Sequence, residues 1–250
     1  MQPLSVVLRS RFYCAWLLMV LAAPALAFES APYFPLSAGQ QWIYKSWIQT
    51  GPRTSLPFIG LNANSRRDGT KTIVTKSGDI YNDIRTTLID SNNSWDAVHE
   101  LFHYRNDFEG ITLHFYDRQP SGGIQCGPLL QALKYLPPLV ELGLTYRSEA
   151  SIPCSGSGFN WIIKWDVTIK LLGYEQVKVP AGTFDALKME RTVVYNYSTD
   201  MRLKQTDFDR LWLAQGIGVV KAEGRVTNHQ TKEVIDTHGD ELISTSLKRK

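Results

Sequence analysis

Between residues 159 and 171 every second side chain is apolar: Phe159, Trp161, Ile163, Trp165, Val167, Ile169 and Leu171. Most of the positions between them are polar, namely Asn160, Lys164, Asp166, Thr168 and Lys170. A helix turns about 100° per residue and would scatter the apolar set around its circumference, whereas an extended strand places all seven on one face. At about 3.3 Å per residue such a strand is about 40 Å long, and one of that length has to twist and curl with its sheet. The feature therefore predicts a strongly curved sheet with one apolar face.

A tight turn follows. Val177 and Val179 share a face, Pro180 fixes the φ wanted at the first corner of a type I turn, and Gly182 supplies the left-handed residue after it. Thr183 and Phe184 start the return strand, in which Leu187, Met189, Val193, Tyr195 and Tyr197 alternate with one charged intruder, Arg191. Further strands are predicted over 71–75, 80–89, 97–105, 111–117, 201–213, 217–227 and 231–236. Gly216 and Gly218 mark a turn or bulge. Residues 51–70 have loop chemistry, and prolines and glycines break the pattern over 119–143, which leaves room for a short helix over 129–136. The predicted fold class is mainly β: a strongly curved antiparallel sheet, or half-barrel, with little helix.

The first 27 residues read as a secretory leader. Arg9 and Arg11 precede an apolar run from Phe12 to Ala23, and Ala25, Leu26 and Ala27 give the small-x-small pattern of a cleavage site. The run is shorter than the roughly 20 residues needed to span a bilayer. Cleavage after Ala27 is expected to leave a single β-rich domain over 28–250 in the periplasm or outside the cell, with no transmembrane segment. Losing the two arginines takes the formal charge from +3 to +1. That balance argues against nucleic acid as a partner. Cys126 and Cys154 remain after Cys14 leaves with the leader, and in an oxidising compartment they are expected to form a disulfide.

Four blocks carry a resemblance. They are Phe34, Pro35 and Leu36 with Gly39 and Trp42; Leu136 and Pro137 with Leu139 and Gly143; Val179 to Asp185 (VPAGTFD); and Trp212 to Lys221 (WLAQGIGVVK). In that order they resemble the landmarks of a family of secreted bacterial proteins of unknown function. That family is similar in fold to the envelope lipoprotein carriers LolA and LolB, whose curved antiparallel sheet wraps around an apolar groove closed by helices. The resemblance implies a non-catalytic binder or carrier of an apolar ligand, such as a lipid or a lipoprotein acyl chain, and no cofactor.

The candidate ligand wall is Phe159, Trp161, Trp165 and Tyr195, since a concave face needs either a ligand or a filled core. A second chemistry is written in His99, Glu100 and His103, which satisfy the H-E-x-x-H pattern of zinc peptidases with Glu100 as the base. On a helix the two imidazoles lie one turn apart and can share a zinc; four residues apart along a strand they lie about 13 Å apart and cannot. The surrounding pattern predicts a strand, in which a loop over 107–110 would pair Tyr104 with Leu113, Phe102 with Phe115, and His103 with His114. A third reading is a purely structural envelope protein. Asp207, Asp209 and Arg210 read as a solvated face.

Overall fold

The computed structural model describes residues 27–50, 67–89, 98–119, 125–156, 158–198 and 204–247. The leader residues 1–26 and most of the 51–70 loop fall outside these. In chain order the strands are β1 (Ala27–Glu29), β2 (Gln41–Thr50), β3 (Arg67–Ser77), β4 (Ile80–Ile89), β5 (Val98–Asp107), β6 (Gly110–Gln119), β7 (Gln125–Cys126) and β8 (Pro128–Leu136). They continue with β9 (Leu139–Glu141), β10 (Thr145–Gly156), β11 (Phe159–Val179), β12 (Gly182–Tyr197), β13 (Gln205–Ala214), β14 (Gly218–Asn228) and β15 (Val234–Thr245). One 3-10 turn, Ala31–Tyr33, is the only helical element among the described residues.

Thirteen strands form one antiparallel sheet in the order β7, β10, β11, β12, β13, β14, β15, β2, β3, β4, β5, β6, β8, while β1 and β9 pair separately. The sheet curls further than a half-barrel, because its two ends are contributed by one continuous stretch of chain. Cys126 in β7 pairs with Cys154 in β10, and β8 begins two residues later and pairs with β6 at the other end. The Gly127 amide donates to the Pro153 carbonyl at 2.8 Å. Across the seam Lys134 N donates to Ser148 Oγ at 2.9 Å, and Gln131 Nε2 to the Glu149 carbonyl at 3.3 Å. The result is an antiparallel barrel that is nearly closed.

Period-two patterning is obeyed by β11. Trp165, Val167, Ile169 and Leu171 are buried together, with Trp161 and Ile163 packed against them, and the alternate residues face outward. A bulge at Leu171/Gly173 breaks the register before Val177 and Val179, which join a second apolar cluster with Trp42, Val74, Ala186 and Trp212. On β13 the two clusters take alternate residues, Leu211 and Leu213 for the first and Trp212 and Ala214 for the second. At the hairpin Val179 pairs with Gly182 around Pro180 and Ala181, and Gly182 has φ +127°.

Two expectations change. Residues 129–136 form strand β8, not a helix; Leu129, Leu133, Tyr135 and Leu136 are buried along it. Six of these eight residues are apolar, a pattern that fits either period, and here the unpaired edge of β6 decides in favour of a strand. The last strand runs to Thr245, well past residue 236, with Asp236, His238 and Asp240 at its alternate positions.

The expected disulfide is present: Cys126 and Cys154 are bonded with Cα atoms 4.0 Å apart and a sequence separation of 28. It ties β7 to β10 where the barrel closes. Replacing both cysteines with serine should lower the unfolding free energy by about 2 to 3 kcal/mol, from the loop the bond closes in the unfolded chain. Urea midpoints of the oxidised protein and the double variant check this, and equal midpoints would contradict it.

Candidate functional site

The four predicted wall residues are spread along one gradient of burial. Phe159 is 71% exposed at the start of β11, Trp161 is half-buried, and Trp165 is 8% exposed. Trp165 pairs with Tyr195 across β11 and β12, and their rings meet edge to face at 5.7 Å and 87°. From the far side of the interior Tyr116 reaches Trp165 at 5.4 Å. Tyr116 in turn packs on Phe102, and Phe102 stacks on Tyr104, so an aromatic chain crosses from β11 to β5 and β6. Trp165 and Tyr195 are thus brought together, whereas Phe159 stands apart beside the β10–β11 turn, paired with Gly156. Trp165 Nε1 is a buried donor with no hydrogen-bond acceptor among the described residues.

Beside Trp161 lies an open cleft of about 620 Å³, lined by Cys126, Cys154, Asn160, Trp161, Ile162 and Ser198 among others. This volume is in the range of small-molecule sites. Its floor is the disulfide, so the bond that closes the barrel also shapes the cleft.

Below the aromatic chain the same interior face becomes charged. The register aligns Arg191 of β12 with Asp209 of β13, Asp209 with Gly224 of β14, and Gly224 with His238 of β15. One pair of residues along, Val193, Asp207, Val226 and Asp236 form the next row. Arg191 donates from Nε and Nη2 to Asp209 Oδ2, at 2.9 and 2.5 Å, and from Nη1 to the Tyr135 hydroxyl at 3.1 Å. His238 Nε2 lies 2.9 Å from Asp209 Oδ1 and 4.0 Å from Asp207 Oδ1, and its Nδ1 lies 3.1 Å from Asp236 Oδ1.

Gly224 is what lets this row meet. A Cβ there would collide with Asp209 Oδ1 and His238 Nε2, which occupy the space over the glycine backbone. Burial works against the His238 charge, but the hydrogen bonds to Asp209 and Asp236 outweigh it and push its pKa up to about 10. Burial also raises Asp209, yet Arg191 and His238 together hold its carboxyl below the usual range. For Asp207 burial and the neighbouring Asp209 charge outweigh the pull of Arg191 and His238 and push it up, and its buried Oδ1 has no hydrogen-bond partner among the described residues.

This cluster corrects the reading of Asp207 and Asp209 as a solvated face. Asp209 is 2% exposed, and only Arg210 points outward, where it pairs with Glu190 at 3.1 Å. The signal was present in the strand period, because Asp207 and Asp209 alternate with Gln205, Leu211 and Leu213, as Arg191 does with Met189 and Val193. His238 was hidden by placing the end of its strand too early.

The H-E-x-x-H residues lie on β5, so His99, Glu100 and His103 follow a strand and not a helix. Four residues along a strand separate the two histidine backbones by about 13 Å. His103 stacks on Phe115 at 4.6 Å, and burial followed by the His114 charge lowers its pKa. Tyr104 pairs with Leu113 as expected, but a register shift at His103/Tyr104 pairs Phe102 with Tyr116 and His103 with Phe115, in place of the predicted partners.

Residues 163–232, from β11 to the turn after β14, match the family model described as DUF3108-like. The matched span contains Trp165, Arg191, Tyr195, Asp207 and Asp209 and ends before His238. No curated protein matches the chain. Among solved structures it is similar to a protein of Parabacteroides distasonis named as a lipoprotein, with 13% identity, 86% of this chain and 98% of that chain covered, and a TM-score of 0.51. It also aligns with an exported protein with YmcC-like fold from Bacteroides fragilis (12% identity, 85% and 97% covered, TM-score 0.48). A third match is the hypothetical lipoprotein YmcC from Escherichia coli (7% identity, 82% and 84% covered, TM-score 0.40). The first of these likenesses is one of fold; the other two carry no argument.

Proposed function

We propose that this chain is a non-catalytic binding protein of the bacterial envelope, exported by its leader and cleaved after Ala27, that takes up an apolar ligand such as a lipid or acyl chain. The observation that carries the reading is the gradient along β11: Phe159 exposed, Trp161 half-buried on a cleft of about 620 Å³, and Trp165 buried with an indole N–H that has no acceptor among the described residues. An exposed aromatic that continues a buried stripe is costly to leave in water and is a natural first contact for an acyl chain. The Trp165 indole then offers a single donor for a ligand carbonyl or carboxylate, which is the usual composition of such sites: mostly apolar with a few placed polar groups.

Export is supported by the leader pattern, by the Cys126–Cys154 disulfide and by the name of the similar Parabacteroides distasonis protein as a lipoprotein. The four sequence blocks resemble a family of secreted proteins of unknown function, and the similarity in fold of that family to LolA and LolB points to the same ligand class. Those carriers close their groove with helices, and here the described residues contain one 3-10 turn. Entry would therefore be through the cleft beside Trp161 and not under a helical lid.

Each buried methylene contributes about 0.8 kcal/mol, so ten of them give micromolar binding once association costs are met. Titration of a dansyl-labelled fatty acid into the protein should accordingly give a micromolar Kd, weakened at least tenfold in Trp161→Ala, and native mass spectrometry of protein from the periplasm should show a bound lipid. A folded Trp161→Ala protein that binds the probe as well as wild type removes this strand as the ligand wall. A wild type that binds neither probe nor lipid leaves the structural envelope protein as the better reading.

A further inference from the structure

We propose that Asp207 and Asp209 of β13 and His238 of β15 form a binding site for a divalent metal ion of the zinc type on the interior face of the barrel. One ligand atom from each of the three lies within 4.8 Å of the others. Around a tetrahedral zinc with bonds near 2.1 Å, ligand atoms are about 3.4 Å apart, and the separations of 2.9 and 4.0 Å from His238 Nε2 to Asp209 Oδ1 and Asp207 Oδ1 bracket that value. A small adjustment of the Asp207 side chain closes the set.

Two further observations point to a cation and not merely to an ion-pair network. First, Asp207 Oδ1 is shut off from solvent, is aimed at His238 and Asp209, and receives no hydrogen bond among the described residues. A buried carboxylate oxygen in that state is costly, and a metal ion is one of the few groups that satisfies it. Second, His238 Nδ1 is held by Asp236, which leaves Nε2 facing the two aspartates. A carboxylate behind the remote ring nitrogen is how metal-binding histidines are commonly oriented and made more basic.

The backbone is arranged for the same end. Gly224 sits between Asp209 and His238 in the register and opens the space in which their ligand atoms converge. One imidazole with two carboxylates suits zinc and its neighbours better than calcium, which prefers oxygen ligands alone. His238 keeps 21% of its side chain exposed, which leaves an approach for the ion and for a water ligand. The site spans strands two apart in the sheet, so an ion there would brace β13 to β15 from inside.

Isothermal titration of ZnCl₂ into the chelator-stripped full chain, as secreted, tests this. The expected result is one ion per chain with a micromolar or tighter Kd, and a rise in Tm of about 5 to 10 °C at a hundredfold excess over Kd. Asp207→Asn, which keeps the side-chain shape, should weaken binding at least tenfold, and so should His238→Gln; should the latter not fold, Asp207→Asn decides alone. His103→Gln removes a histidine of the strand-borne H-E-x-x-H sequence and should leave the titration unchanged. Absence of zinc binding by the wild type, or binding that survives Asp207→Asn but is lost in His103→Gln, would overturn the assignment.

Discussion

Replacing Arg191 with methionine is expected to lower the unfolding free energy by about 3 to 5 kcal/mol, measured from urea midpoints in EDTA. Methionine keeps most of the apolar stem and removes the guanidinium. What remains is Asp209, 2% exposed, with Oδ2 stripped of both of its hydrogen bonds, and the Tyr135 hydroxyl without its donor. A surface ion pair would be worth less than about 1 kcal/mol. This pair is not on the surface, and the loss comes from a buried charge left unpaired. His238 still donates to Asp209 Oδ1, which keeps the loss from growing larger. The double variant Arg191→Met with Asp209→Asn should be less destabilised than the sum of its parts, by about 1 to 3 kcal/mol, because the two sites share one interaction. Strict additivity, or a single-variant loss below about 1 kcal/mol, would show that the pair is solvated.

Arg191 also shows why the barrel was legible in the sequence and its polar interior only half so. Period two assigns a face, and it assigned β11 correctly from Phe159 to Leu171 and β12 from Leu187 to Tyr195, because the residues on that face are apolar with Arg191 as the one exception. The same rule places Arg191, Asp207 and Asp209 on the inner face. Charge argued the opposite, and burial won, because a cross-strand partner makes an inward arginine tolerable. Partners lie on other strands, and a single sequence gives strands but not their register. His238 was invisible for a related reason. With Asp236, His238 and Asp240 on the inner positions of β15, the strand lacks the apolar alternation by which strands are found. The strand nature of β8 depended on something further still, the open edge of β6 that only the assembled sheet presents.

Truncating Trp165 to alanine should cost about 3 to 5 kcal/mol, whereas Phe159→Ala on the same strand should change stability by less than about 0.5 kcal/mol. The difference follows from where the strand goes. Phe159 is 71% exposed and loses little by being shortened, while Trp165 is 8% exposed and wedged between Tyr195 on the neighbouring strand and Tyr116 across the interior. Removing the indole opens a cavity and breaks the aromatic chain that links β11 to β5 and β6, and surrounding side chains held by paired strands relax only in part. Trp165→Phe separates packing from the polar handle. It keeps an aromatic ring in place and deletes a buried N–H that has no acceptor among the described residues, so its cost should stay below about 2 kcal/mol. Thermal or urea unfolding of the three variants gives the comparison directly. If Trp165→Ala costs less than about 1 kcal/mol, the interior at this level is an open groove and not a packed layer, and the acyl-chain site would then extend inward from the cleft at Trp161 past Trp165 towards Arg191.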